Sequence, residues 1–223
     1  MRSARIAAAA VAVAGTMLIT APSASAATPA PVAQPTTKTL SPAAERAMQD
    51  RIAKSKPVVG TYKGKRINLS QDWQGAKVCA ETSKGEVKCF DNQREADKAL
   101  AAENTALAKR AAGRAGSGRI AMPAASEDCG SGWVCIWEHN NYSGRRLQWS
   151  AKGTKNLADW GFRDKASSGC VSRLVGGANL VDFRTGQPDP EMFMGVGSCY
   201  DFTRAGYVYG GSWNDKADAI HLW

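Results

Sequence analysis

Trp137-Glu138-His139-Asn140-Asn141-Tyr142-Ser143-Gly144 sets two aromatic rings five residues apart, with a glycine two residues after the second. That spacing predicts a hairpin folded back over its own sheet. Gly144 supplies a backbone conformation that other residues avoid, and Tyr142 packs on Trp137 to hold the bend. An ordinary hairpin with two core aromatics is the plainer alternative. A repeat favours the folded form. At an offset of 51 residues, Tyr142 meets Phe193, Gly144 meets Gly195 and Trp149 meets Tyr200. Leu157 then meets Val208, Phe162 meets Trp213, Asp164-Lys165-Ala166 meets Asp215-Lys216-Ala217, and Val171 meets Leu222. Two copies of roughly fifty residues, each with several short β runs, predict paired units that share one core.

Aromatic residues mark where that core lies. Only Tyr62, Trp73 and Phe90 precede residue 129; every other Phe, Trp and Tyr follows it. Large aromatics dominate burial energy. Residues 129–223 are therefore expected to form a mainly β domain of about 100 residues, a normal size for a two-sheet sandwich.

The six cysteines are even in number, which in an oxidising compartment predicts disulfides. A metal site fits poorly, because no pair has CxxC spacing and His139 and His221 are the only histidines. One pairing follows from local geometry. If Cys79 faces Cys89, the hairpin loop is Ser83-Lys84-Gly85, and such a loop wants a left-handed residue where Gly85 stands. Counting outward from 82–86 puts 79 and 89 at a non-hydrogen-bonded pair, with Cα atoms about 4.5 Å apart, inside disulfide range.

The N-terminal half reads differently. Residues 1–26 have the layout of a secretory signal peptide: Arg2 and Arg5, an apolar run over 6–19, then Ala24-Ser25-Ala26 for cleavage. No later stretch is apolar enough to span a bilayer, so the mature chain is expected to be secreted and extracellular. Residues 27–40 read as a flexible lead rich in Ala, Pro and Thr. Residues 41–112 read as a small α+β region. Ser41 caps a helix that starts at Pro42 and carries Met48 and Ile52 on one face. Hairpins follow, the first around Lys63-Gly64, and then a helix over 91–112 capped by Asp91 or Asn92. Residues 113–128 read as a linker, with an obvious nicking site in its basic Gly-Ser stretch. Residues 27–120 fit a pro-segment and a permanently attached domain equally well. The net charge of +9 lies mostly before residue 129. It would suit an anionic surface, but solvated helix faces and linker account for it, so nucleic acid is not an expected partner. A monomer is expected.

Three stretches carry a family resemblance. They are Cys129-Gly-Ser-Gly-Trp-Val-Cys135-Ile-Trp137, the aromatic corner, and Gly161-Phe-Arg-Asp-Lys-Ala-Ser-Ser168. Together they resemble peptidase inhibitor family I36, whose members are related to a secreted metalloproteinase inhibitor with a βγ-crystallin-like fold. The resemblance covers residues 129–223 and is densest over 129–175. It implies a βγ-crystallin-like sandwich of two Greek-key repeats. It also implies a local bridge Cys129–Cys135, which leaves Cys170 and Cys199 to pair. βγ-crystallin motifs often carry Asn/Asp-Asn/Asp-x-x-Ser/Thr-Ser, which helps bind calcium. The first copy reads Arg163-Asp164-Lys165-Ala166-Ser167-Ser168, with a cation where an acid or amide belongs. The second reads Asn214-Asp215-Lys216-Ala217-Asp218-Ala219 and lacks both hydroxyls. No cofactor is required on this reading. Calcium, which needs several hard oxygens, is expected to bind weakly at most, at Asn214, Asp215 and Asp218.

The function that the resemblance implies is a secreted peptidase inhibitor, with an extracellular metalloproteinase as partner. A rigid, disulfide-braced β module would dock into the protease cleft with little ordering cost. The alternative is a βγ-crystallin-like calcium-binding or cell-envelope-binding structural module. An enzyme is not expected, since the chain has no GxSxG elbow, HExxH or P-loop. The candidate contact is the hairpin of the second copy, which is longer than that of the first. Pro188 and Pro190 restrict its backbone, Asp189 and Glu191 would approach a zinc ion or a basic subsite, and Met192 would enter an apolar pocket. A solvent-exposed loop without a partner is the plainer alternative.

Overall fold

Thirteen strands and three α-helices are set among residues 35–114, 129–173 and 175–223, which the computed structural model describes. The signal sequence, most of the lead and most of the linker read from the sequence lie outside these residues. In chain order the elements are β1 (Thr36–Thr39), α1 (Pro42–Ala53), β2 (Val59–Tyr62), β3 (Lys65–Asn68), β4 (Val78–Glu81) and β5 (Val87–Phe90). Then come α2 (Gln93–Ala99), α3 (Ala101–Arg114), β6 (Val134–His139), β7 (Ser143–Trp149), β8 (Gly153–Asn156) and β9 (Ser168–Val171). The last four are β10 (Ala178–Val181), β11 (Pro190–Met194), β12 (Ser198–Asp201) and β13 (Ala219–Leu222).

The protein is mainly β, with two sheets. The larger runs β12-β9-β6-β7-β4-β5-β2-β3 and the smaller β1-β11-β10-β13-β8. The two copies of the repeat supply β6 to β9 and β10 to β13. The third strand of each copy leaves its own sheet for the other: β8 pairs with β13, and β12 with β9. Neither copy can bury its apolar face without its neighbour.

The larger sheet continues into the N-terminal half. β4 lies parallel to β7, with Val78 opposite Arg146 and Glu81 opposite Trp149. The stretch read as a small α+β region thus shares a sheet with the first copy. It also packs on the sandwich. The Trp73 indole N–H donates to Trp160 O at 2.8 Å, and Val58 N to Asp159 O at 3.0 Å. Gly161 sits there with φ +63, and a Cβ on it would lie 2.3 Å from Leu69 O, so only glycine allows this approach.

Three apolar clusters follow from this layering. The main one lies between the sheets and includes Ile67, Leu69, Trp73, Ile136, Leu147, Trp149, Phe162, Leu180, Met192, Trp213 and Ile220. A second covers the other face of the larger sheet, where Trp133 and Trp137 meet Val78, Ala80, Phe90, Ala96 and Leu100. A third joins Leu40 and Met48 to Val181 on the other face of the smaller sheet. Strands β6 and β9 are buried on both faces, as strands between two covered layers must be.

Two local readings need amendment. Thr36–Thr39, read as part of the flexible lead, forms an edge strand on β11. Its run of β-branched threonines suits a strand, and Leu40 anchors the end in the third cluster. The helix expected over 91–112 starts on an Asn92 cap but breaks at Leu100 into α2 and α3. Leu100 is buried beside Phe90 and Ala96. The bend lets Asn104 on α3 accept the Trp133 indole N–H at 2.6 Å.

Candidate functional site

The aromatic corner forms as its spacing predicts. The Trp137 and Tyr142 rings meet edge to face at 5.4 Å. Gly144 has φ +81, and a Cβ there would sit 2.8 Å from the His139 ring. Arg145 braces the strand behind the corner. Its guanidinium donates to both Glu138 carboxylate oxygens, at 3.0 and 2.7 Å, and stacks over Trp73 at 4.8 Å. That guanidinium holds the Glu138 carboxyl below its ordinary pKa.

All three disulfides join the expected pairs. Cys79–Cys89 and Cys170–Cys199 bridge directly opposed residues, β4 to β5 and β9 to β12, with Cα atoms 4.1 and 4.0 Å apart. Cys129–Cys135 ties the lead-in of β6 to the strand itself. Every bridge lies on the larger sheet.

The smaller sheet carries buried carboxylates instead. Asp182, Asp189, Glu191 and Asp218 are all buried. Asp182 accepts from the Tyr207 hydroxyl, and Arg184 lies 3.6 Å from it. Burial raises the Tyr207 pKa further above its ordinary value, and the Asp182 charge adds to the shift. Asp218 accepts the Phe183 amide at 2.6 Å and is ion-paired with Arg163. Desolvation pushes the Asp218 pKa up to about 6, against the opposing pull of that amide and of Arg163.

The residues read as protease contacts separate on the two sides of the fold. Pro188 is exposed. Met192 faces the inter-sheet core, so it is not free to enter a partner's pocket. Asp189 turns inward, accepting Arg184 N at 2.7 Å and the Gln49 side-chain amide at 3.2 Å. Glu191 is held by Lys38 at 3.0 Å and by the Asn179 side chain at 2.7 Å. Pro190 is buried at the start of β11. The physical reason is alternation along β11: Met192 and Met194 face the core, while Glu191 lies on the opposite face, held by Lys38 and Asn179 from the neighbouring strands β1 and β10. The exposed tip of the hairpin is 184–188.

The residues read as a weak calcium site have protein partners. Asp218 is committed to Phe183 and Arg163. Asp215 accepts from the Ser167 hydroxyl at 3.2 Å and from the Asn214 side chain at 2.7 Å. Among the described residues, no three His, Cys, Asp or Glu side chains converge in a way that would hold a metal ion. The Arg163 guanidinium supplies positive charge beside Asp218.

The corner, the Cys129–Cys135 bridge and strands β6 to β9 lie in one contiguous stretch. Residues 122–172 match the family model of peptidase inhibitor family I36. Among the described residues of that match, strands β6, β7 and β9 lie in the larger sheet and β8 in the smaller. No curated protein and no solved structure matches the chain.

Reading the sequence alone missed the turn at 207–211. Val208 was paired with the buried Leu157 across the repeat, yet Val208 is exposed. Tyr209 beside it is also exposed, and its hydroxyl donates to Pro188 O at 2.7 Å. A usable signal was present in Tyr207-Val-Tyr-Gly-Gly211: two glycines after an aromatic pair mark a tight turn.

Proposed function

We propose that this chain is an exported peptidase inhibitor whose βγ-crystallin-like module docks as a rigid body into a protease cleft. The family match at residues 122–172 carries the reading. Three disulfides and the two central strands β6 and β9, buried on both faces, support it, because a braced surface loses little entropy on docking. The exchange of β8 and β12 between sheets supports the βγ-crystallin-like arrangement. Metalloproteinases are the target class that the resemblance implies. Among the described residues no helix is long and apolar enough to cross a membrane, and the disulfides suit an oxidising compartment. A calcium-dependent structural role draws less support, given the partners of Asp215 and Asp218.

The test is titration of the purified, oxidised protein against thermolysin-like, subtilisin-like and trypsin-like proteases. Saturable inhibition of the thermolysin-like enzyme is expected, with the inhibitor recovered intact. Inhibition confined to a serine protease would correct the target class. No inhibition of any of the three would overturn the reading.

A further inference from the structure

Two loops meet beside the smaller sheet and hold each other rigid. The first is the exposed tip 184–188 of the β10–β11 hairpin. The second is the turn 207–211, closed by hydrogen bonds between Tyr207 N and Gly211 O at 3.1 Å and between Gly210 N and Tyr207 O at 3.0 Å. Tyr209 joins them by donating to Pro188 O at 2.7 Å. Tyr207 joins them again from below through the buried Asp182.

The first loop is fixed at both ends. At its start, Arg184 N donates to the buried Asp189 carboxylate, and the Arg184 side chain reaches Asp182. At its end, Leu40 N donates to Asp189 O at 2.8 Å, and Pro188 and Pro190 restrict the backbone. Exposed loops without such anchors are ordinarily the mobile part of a fold.

Its outer surface is apolar and cationic. Val208 and Tyr209 are two of the six large hydrophobic side chains exposed among the described residues, and they are adjacent. Arg184 is the charged side chain of the 184–188 tip, and Lys216 lies over the Tyr207 ring at 5.7 Å. A pre-ordered, exposed surface of this kind fits a partner cleft with an apolar subsite and a nearby acidic group. Binding there would spend little on ordering, and Tyr and Arg are the residue types that most often dominate such contacts.

We infer that the paired loops 184–188 and 207–211 are the surface that enters the protease cleft, with Tyr209 and Val208 in an apolar subsite and Arg184 against an acidic rim. This rests on the peptidase-inhibitor reading. It moves the contact outward from the buried Asp189, Glu191 and Met192 to the residues that face solvent.

The test uses the full exported chain and a protease that the unaltered protein inhibits. Gln187→Trp adds bulk at the exposed tip and should weaken inhibition at least about tenfold by obstructing the cleft. Tyr209→Phe removes the bond to Pro188 and should weaken it about fivefold, the equivalent of one neutral hydrogen bond. Arg184→Ala should slow association and flatten its salt dependence. Phe193→Ala, at the separate exposed cluster where Phe193 stacks on Trp223, should leave inhibition unchanged. Melting curves run alongside should show Gln187→Trp and Arg184→Ala folded as the parent. If these loop variants inhibit as the parent does, the inference fails while the inhibitor reading stands. The same holds if Phe193→Ala alone abolishes inhibition. If the parent inhibits no protease, both fail together.

Discussion

The two sheets are stabilised by different chemistry. The larger carries all three disulfides and two clusters of buried tryptophans, one on each face. The smaller carries no bridge. Its buried carboxylates are instead tied to protein partners: Asp182 to Tyr207, Asp189 to Arg184 and Gln49, Glu191 to Lys38 and Asn179, Asp218 to Phe183 and Arg163. A disulfide acts mainly by restricting the unfolded chain and is indifferent to pH. A buried carboxylate acts through its ionisation state. The braced sheet should therefore answer to redox conditions, and the latched sheet to pH through Asp218, whose pKa burial raises. The family match falls mainly on the first, while the proposed contact loops hang from the second.

The largest effect should come from removing the outer half of the braced sheet. A chain beginning at residue 121 loses β1 to β5 and α1 to α3, so the smaller sheet also loses its edge strand beside β11. Strand β7 then becomes an open edge, and Trp133 and Trp137 lose the cover of Val78, Ala80, Phe90, Ala96 and Leu100. Uncovered aromatics and an unpaired edge strand drive association. The shortened chain is expected to be insoluble or aggregated on gel filtration. A soluble, folded monomer that still inhibits would instead support reading residues 27–120 as a removable pro-segment.

A smaller effect should come from the bridge between copies. Cys170–Cys199 joins β9 of the first copy to β12 of the second, closing a loop of 29 residues. Replacing both cysteines by serine should cost about 3 to 4 kcal/mol, read by denaturant unfolding. The cost should be nearly the same at pH 5 and pH 8, since a disulfide does not titrate. A strong pH dependence of that cost would blur the division between the two sheets.

How much of this was legible depended on the range of the interaction. The Cys79–Cys89 register could be counted from Gly85, because a hairpin loop fixes its own pairing. The late part of the repeat was equally readable. Phe162 and Trp213 are both buried, and Asp164 and Asp215 both take left-handed backbone at φ 53. The parallel pairing of β4 with β7 left no such mark, since parallel neighbours need not be near in sequence and impose no turn residue. Asp189 and Glu191 misled for a different reason. Acids beside prolines usually face water, and only the tertiary partners Gln49, Lys38 and Asn179 explain their burial. Leu100 shows the same limit, because its burial overrides a helix that local propensity would continue.

The smallest effect should come from Asp218, and it tests the latched sheet directly. Burial raises this carboxyl to about 6, from an ordinary value of 3.8. A group whose folded pKa is raised binds its proton more tightly in the folded state. Its favourable contribution is therefore complete below 3.8 and is lost as pH rises through about 6. At neutral pH the ionised Asp218 thus costs stability, despite Arg163. Asp218→Asn keeps an oxygen for the Phe183 amide and cannot ionise. A shift of this size sets an upper limit of about 3 kcal/mol. The amide is also a poorer partner for Arg163, which takes back part of the gain. The expected net gain at pH 7 is about 1 kcal/mol, a rise in Tm of roughly 3 °C for a chain of this size. At pH 4 the parent and the variant should melt together. The charged neighbours Arg163, Asp164 and Asp182, like every other titrating group, are common to both chains. Much of their effect cancels when the difference in Tm is plotted against pH. A difference that stays flat between pH 4 and pH 7 would mean that Asp218 is fully ionised throughout. The smaller sheet would then be held by a permanent Arg163–Asp218 ion pair rather than by a carboxyl that gains from protonation.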